Sequence, residues 1–409
     1  MINLQNADSV LKDVYLGFVS NQINTKTNPL YRRIKKSTQN IEGNTVRVLA
    51  PYGLYGGIVA GEEYAEVPSQ NLENQYLVFQ DTLKNLYGRF DITDKAIKVS
   101  AHDAGAFVNL LQNSMKRLIE GCTYGLSRML YGDGNGTLGT LTITDGKYYI
   151  DKPNALVPGM FVDMYRATDF TGITMFIKGV NKLTKEVSFV GNTKNLKSGD
   201  IFRFRGGYGN EIMGLKGLVN ASSIYGNSRA TYPTLNATKY EAATSDAFDE
   251  EYVQKVLDDL EENGTVVNFI NCSYPLKRLY QKYLTIYKKN VEWDTLEDGT
   301  KVITHCGVPI VPTNFVDDGE CYFLNTDDFT FYELGDWSWI QGPSGSILQK
   351  EANYTSFSAT LAKYTQLICQ KPNGVGYVSG LSTTVPEPST DSGSTSTGTG
   401  DNNTESGNS

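Results

Sequence analysis

The stretch "LYGDGNGTLGT" (Leu130–Thr140) decides how this chain is read. It is a glycine-dense run that directly follows a long segment with helical apolar spacing. Such a run can cradle a phosphate, hold a calcium ion, or end a helix. A P-loop needs a strand before its glycines and a lysine after them. Here the helical segment comes first and no lysine follows. A Rossmann turn also needs a preceding strand. In a calcium-loop register with Asp133 and Asn135 at positions 1 and 3, Leu138 stands where glycine is required. Thr144 stands where a bidentate glutamate is required. The structural reading remains: Gly132, Gly134 and Gly136 supply positive φ at a helix exit and satisfy its last carbonyls.

Upstream, Ser100 and Asp103 form a capping-box pattern. Apolar residues then recur at Phe107, Leu111, Met115, Leu118, Cys122, Leu126 and Leu130, a period near 3.6. About 30 residues at ~1.5 Å each predict a rod of roughly 45 Å, a spine rather than an ordinary domain helix. Gly121 and Gly125 within it each cost ~1 kcal/mol against alanine, and close approach of a neighbouring element is the expected reason. Downstream, residues 137–213 switch to period two. "TLTITDGKYYI", "GMFVDMYR", "ITMFIKGV", "KEVSFVG" and "GDIFRFRG" read as short strands of a small barrel or sandwich.

Residues 7–22 read as a short amphipathic helix, stopped by Asn28-Pro29. Arg32, Arg33, Lys35 and Lys36 follow, either as a solvated face or as an arm that docks on an acidic neighbour or faces nucleic acid. "TVRVLAPY" and "YLVFQDTLKNLYGRFDI" are strands parted by "GLYGGIVAGEEYAEVPSQNLEN", too long for a tight turn and read as a projecting arm. Glu62, Glu63, Tyr64 and Glu66 near its apex are a candidate docking cluster. Residues 245–370 return to mixed α/β, with Ser245 and Ser273 as expected helix caps and Asn263-Gly264 as a stop. From about Ser382 a Ser/Thr/Gly/Asn tail cannot offset its ordering entropy and is expected to be disordered.

The chain has 409 residues, 40% apolar and 20% charged, enough for two or three domains. Its net charge of -8 argues against a dedicated nucleic-acid binder. Five cysteines without a CxxC pair favour free thiols over a disulfide framework. The start of the chain does not read as a signal peptide, and no membrane span is expected. The two histidines, His102 and His305, form no catalytic or metal constellation. His305 and Cys306 are adjacent on a strand pattern and would point to opposite faces. No catalytic residue, metal or cofactor is expected.

The order of these parts resembles the major capsid proteins of tailed bacteriophages, the Hong Kong 97-type fold. "NPLYRRIKKS" resembles that family's N-arm, "LYGRFDITDKAIKVS" and "GAFVNLLQNSMKRLI" its E-loop return and spine, and "MLYGDGNGTLGTL" its spine exit. "GNEIMGLKGLVN", "YGNSRATYP" and "YFLNTDDFTFYELGDWSW" resemble its later segments. The resemblance implies an α+β fold divided as follows: N-terminal arm 1–43, E-loop and flanking strands 44–92, P-domain spine 93–136, an inserted β-barrel-like domain 137–213, A-domain with remaining P-domain strands 214–380, and tail 381–409. It implies a non-enzymatic shell subunit that assembles with itself as hexamers and pentamers around double-stranded DNA, without sequence-specific binding. The implied location is the virion, built in a host bacterial cytoplasm with no membrane contact. Portal, scaffolding, maturation-protease and decoration proteins are its implied partners. The N-arm begins within about ten residues of Met1, so a separate scaffolding protein, or removal of a leading segment, is expected. An encapsulin-type nanocompartment is the alternative. A soluble enzyme lacks its motifs, and a monomeric adhesin or tail component has no need of the spine.

The family's covalent cross-link uses an E-loop lysine, and residues 51–75 contain none. Assembled particles are therefore expected to dissociate to a single band on denaturing gels. A ladder of boiling-resistant multimers would refute that expectation.

Overall fold

A computed structural model describes residues 28–51, 76–95, 104–243, 246–286, 293–296, 299, 301–343 and 345–383. The spine is helix α2 (Ala104–Tyr131), 28 residues long, or about 42 Å at ~1.5 Å per residue. The capping-box pair at Ser100 and Asp103 lies outside the described residues. The helix ends at the glycine run. The Gly132 N–H donates to the Met129 carbonyl at 3.0 Å, tightening the last turn. Asp133 Oδ1 accepts from the N–H groups of Asn135 at 2.9 Å and Thr137 at 3.3 Å, which folds the chain back. Left-handed φ occurs at Gly134 (79°) and Gly136 (67°), not at Gly132. The expected role of Gly132 is corrected accordingly. Its carbonyl accepts from the Gly217 N–H at 3.1 Å, tying the spine exit to α3 (Leu215–Asn220).

α2 packs across a six-stranded sheet. Its long pair is β5 (Lys84–Thr93) against β23 (Ser356–Cys369), antiparallel from Lys84↔Thr365 to Thr93↔Ser356. β20 (Phe329–Glu333), β21 (Ser338–Trp339) and β22 (Gln349–Lys350) also pair with β23. β1 (Lys35–Ser37) adds in parallel to β20, after the short helix α1 (Pro29–Arg33). Along β5, Leu86, Gly88, Phe90 and Ile92 alternate inward. The close approach expected at Gly121 and Gly125 belongs instead to Gly88 on the strand. A Cβ at Gly88 would lie 2.5 Å from Cys122 Sγ, whereas nothing lies within 4 Å of a Cβ at Gly121 or Gly125.

β3 (Thr45–Pro51) and β4 (Tyr76–Thr82) pair in full register, with β2 (Ile41–Glu42) beside β3. Val46, Val48 and Ala50 are buried, as the alternation predicts. The arm joining these strands, with Glu62, Glu63, Tyr64 and Glu66, lies outside the described residues. So do residues 7–22, expected to form a helix, and the tail from 384 onward.

The period-two region forms six strands: β6 (Thr137–Thr144), β7 (Lys147–Ile150), β8 (Phe161–Arg166), β9 (Asp169–Val180), β10 (Val187–Val190) and β11 (Ile201–Phe204). They pair in the order β10-β9-β8-β11-β6-β7. The two ends meet through a Tyr149–Glu186 bridge and an Ile150 N–H to Lys185 carbonyl bond at 3.0 Å, which curls the sheet toward a barrel. It has its own core, including Leu141, Val162, Met164, Ile177 and Phe202.

A small hairpin, β12 (Ser223–Ile224) with β13 (Asn227–Ser228), leads to a seven-stranded mixed sheet. Its order is β14 (Thr238–Glu241), β24 (Gly376–Ser379), β19 (Cys321–Leu324), β15 (Phe269–Cys272), β18 (Val308–Pro312), β17 (Lys301–His305) and β16 (Trp293–Thr295). Helices α4 (Glu250–Glu262) and α5 (Tyr274–Ile286) share a core with it. The α4 cap is Asp249, whose side chain accepts from the Tyr252 N–H; Ser245, the expected cap, lies outside the described residues. Ser273 precedes α5, but its buried hydroxyl makes no hydrogen bond and does not cap. Gly264, with φ of 74°, ends α4 as expected.

Gly121→Ala should raise stability by about 0.5–1 kcal/mol, because open space receives the methyl and the helix gains propensity. Gly88→Ala should lower it by about 1–3 kcal/mol through overpacking. Thermal unfolding of both variants checks this; shifts of the same sign would refute the assignment.

Candidate functional site

Arg128 sits in the last turn of α2 between buried Leu126 and Leu130. A guanidinium removed from water needs an anion with good geometry. Glu211 provides it, arriving just after the barrel strands. Arg128 Nη1 donates to Glu211 Oε2 at 2.9 Å and Nη2 donates to Glu211 Oε1. Their side chains are 4% and 2% exposed, and the guanidinium lies 4.7 Å from the Phe204 ring centroid. The pair closes the barrel segment where the chain leaves the spine and where it returns.

A second clasp joins three segments. Asp317 Oδ2 accepts from Lys216 Nζ of α3 at 2.5 Å and from Lys152 Nζ, which lies between β7 and β8. Burial alone would raise the Asp317 carboxyl, but the Lys216 and Lys152 ammonium groups outweigh it and hold it below the usual carboxylate range. Burial opposes the Lys216 charge, yet Asp317 pushes that ammonium up to about 12. Glu320 beside them is raised, by burial first and by the Asp317 charge second.

The basic run is largely used within its own chain. Arg33 Nη1 donates to the Asn268 carbonyl at 3.2 Å and lies 5.0 Å from the Phe269 ring centroid. Lys35 pairs with Asp327 at 3.0 Å on the surface, and Lys36 lies 4.6 Å from the Tyr31 ring centroid. Arg32 is half-buried beside them. These residues therefore seat α1 and β1 against β15 and the turn before β20. The glutamates expected as their counterpart lie outside the described residues, so no juxtaposition of the two groups is seen.

The residues weighed for chemistry are held by neighbours in the fold. Cys306 is not on the strand; its φ of 49° turns it back. Its Sγ and His305 Nε2 both face Gln254 Oε1, at 3.7 and 2.9 Å, while His305 Nδ1 lies 2.9 Å from the Tyr280 hydroxyl. Cys272, Cys321 and Cys369 are buried and unpaired, and burial pushes the Cys272 thiol up to about 12. Among the described residues no group of three or more His, Cys, Asp or Glu is placed to hold a metal, and no helix is long and apolar enough to cross a membrane. A hollow of about 700 Å³ runs beside α2, bordered by Gly121, Gly125, Arg117, β5 and the Phe204–Glu211 turn.

Both clasps escaped the sequence reading. The sequence carried no signal for either: at ~100° per residue Arg128 falls on the side of the helix opposite Leu126 and Leu130, where an arginine reads as solvated.

No family model matches the chain, and no curated protein is similar to it in sequence. The chain is similar to several solved structures. The capsid asymmetric unit of cyanophage A-1(L) overlaps 88% of this chain and 93% of its own, with a TM-score of 0.53 at 12% identity. The holo-SrpI encapsulin complex from Synechococcus elongatus overlaps 88% and 89% at 0.46 and 10% identity. The capsid of a native GTA particle overlaps 87% and 90% at 0.43 and 10% identity. Of these three, the cyanophage overlap exceeds 0.5 and defines the fold class. The chain has the α+β fold of a tailed-phage major capsid subunit, as its sequence phrases implied.

Asp317→Asn should lower stability by about 1–2 kcal/mol, since the lysines remain but lose their shared charge. A carboxyl lowered in the folded state stabilises above its unfolded pKa of ~3.9 and stops doing so as pH falls through its folded value. The stability gap between wild type and variant should therefore be full at neutral pH and close only below ~4. A gap independent of pH in denaturant titrations would contradict the clasp.

Proposed function

We propose that this chain is the major capsid protein of a tailed phage. In this reading it self-assembles as hexamers and pentamers into an icosahedral shell around double-stranded DNA. The observation that carries the reading is the overlap with the cyanophage A-1(L) capsid unit across 88% of the chain. A long rigid helix on a sheet, with a β3–β4 hairpin leading into a 24-residue arm, suits a subunit that binds copies of itself over large areas. A net charge of -8 suits a wall that does not adhere to packaged DNA.

The proposed division of labour follows the three cores. The spine and the β5–β23 sheet form the peripheral body, the seven-stranded sheet the axial body, and residues 137–213 an insertion at the spine exit. The role is structural rather than catalytic and uses no cofactor. Glu62, Glu63, Tyr64 and Glu66 are kept as intersubunit contacts. Arg32, Arg33, Lys35 and Lys36 are proposed to anchor the arm's root on their own subunit, with their exposed edge available to a neighbour. Portal, scaffolding, maturation-protease and decoration proteins are the proposed partners, the virion the final location and the host bacterial cytoplasm the place of assembly.

Purified protein imaged by negative-stain electron microscopy should show closed shells or rings of five and six subunits. Shells from infected cells should contain DNA, whereas enclosed enzymes without DNA would favour a nanocompartment. Monodisperse monomers over a wide range of salt and concentration would overturn the proposal.

A further inference from the structure

The outer face of the barrel does not resemble a wall that meets water alone. Phe161, Phe176 and Val190 are 46%, 36% and 60% exposed. Strand register sets them in one row, Val190 opposite Phe176 and Phe176 opposite Phe161. The two phenyl rings pack edge to face at 5.2 Å. The row has a basic rim. The exposed Arg205 guanidinium lies 5.5 Å from the Phe161 ring centroid, and exposed Lys178 follows Phe176 on the same face of β9. Lys182 and Lys185 flank Leu183, which is 95% exposed at the β9–β10 turn. Among the described residues, Lys178, Lys182 and Lys185 take part in no ion pair. Residues 137–213 hold ten Lys and Arg against seven Asp and Glu, a surplus of three in a chain whose total is -8. An apolar centre with a charged rim is the anatomy of a protein interface.

The matching chemistry occurs in this same sequence. Between Tyr52 and Gln75 there are four glutamates and no basic residue. Ile58, Val59, Tyr64 and Val67 interleave with Glu62, Glu63 and Glu66. Twenty-four residues leaving and returning to paired strands have enough length to reach about 40 Å at ~3.4 Å per residue. The arm's root already exposes Leu49 (63%) and Tyr76 (53%) on β3 and β4. The basic run 32–36 is a poor counterpart, because Arg33 and Lys35 are already engaged within their own chain.

We infer that residues 58–67 of one copy dock on the Val190–Phe176–Phe161 row of a second copy, with Glu62, Glu63 and Glu66 facing Arg205 and Lys178. The inference rests on the shell reading above and names the partner surface within it. The two patches differ, so the contact is head-to-tail and propagates around a ring.

A charge-exchange experiment on the full chain tests it. One variant carries Lys178→Glu with Arg205→Glu; the other carries Glu62→Lys, Glu63→Lys and Glu66→Lys. Each alone should keep the wild-type unfolding transition but lose about tenfold or more in assembled material by sedimentation, because like charges now meet. A chain carrying both sets should recover assembly, and in an equimolar mixture of the two variants alternation should restore six-membered rings but not five-membered ones, since each arm then meets a complementary barrel on the other variant. Recovery by the chain carrying both sets, with no six-membered rings from the mixture, would place the contact within a subunit and overturn the inference. Normal assembly of either variant alone would overturn it as well. Failure of the wild-type chain to assemble would instead count against the shell reading itself, so the two outcomes remain distinct.

Discussion

The fold hinges on one buried charge. Arg128 lies on the side of the spine turned away from Leu126 and Leu130, since two residues are ~200° apart on a helix, and it is buried there by Phe204 and the segment carrying Glu211. Alone there it would be very costly, because a desolvated guanidinium has lost its water and gained nothing. Glu211 removes that cost through a two-pronged contact, but only if residues 137–210 first leave and then return to the same point. The barrel's freedom is thus limited at its root. Its two ends are stapled to the last turn of the spine, and Asp317 fastens Lys152 and Lys216 a short way off. Buried pairs of this kind add little to net stability against an apolar replacement, but they penalise every arrangement that separates them.

The other constraint is steric. A 28-residue helix cannot lie on β5 unless something yields, and the missing side chain at Gly88 provides the room for Cys122 and Leu118. β5 in turn is held along its length by β23. The spine, the hairpin root and the six-stranded sheet consequently share one core, which one face of the seven-stranded sheet joins through Phe269, Val311, Tyr322 and Leu324; the other face of that sheet packs with α4 and α5, and the barrel keeps its own core. Around the spine lie the curved, basic six-stranded segment 137–213 and the mixed seven-stranded sheet carrying acidic α4.

Much of this was legible before any coordinates. The spine, the strand alternation in β3 and β5, the six-strand region and the Gly264 stop all follow from period and turn chemistry. The errors share a cause. Gly132 was given the positive φ that Gly134 and Gly136 carry, because composition marks a turn without assigning its dihedrals. Gly121 and Gly125 were given a neighbour that approaches elsewhere, because a helix pattern does not reveal which strand residue crosses it. Arg32, Arg33, Lys35 and Lys36 were read as a solvated face or a docking arm, and their partners in the same chain went unseen, because Asn268, Phe269 and Asp327 lie far along the sequence and meet the run only in the fold.

By itself, the sequence determined the kind and order of elements, the absence of recognised metal or nucleotide motifs, and the location of the helix exit in "LYGDGNGTLGT". These are local matters, set by side-chain period and by which residues tolerate a given backbone angle. The tertiary structure alone decided which charges neutralise each other. Arg128 and Glu211 stand 83 positions apart, and Lys152 and Asp317 stand 165 apart. No local rule selects such partners; they become neighbours only after sheets and helices have packed. The same holds for the exposed Val190–Phe176–Phe161 row, whose members come from three strands and are joined only by register.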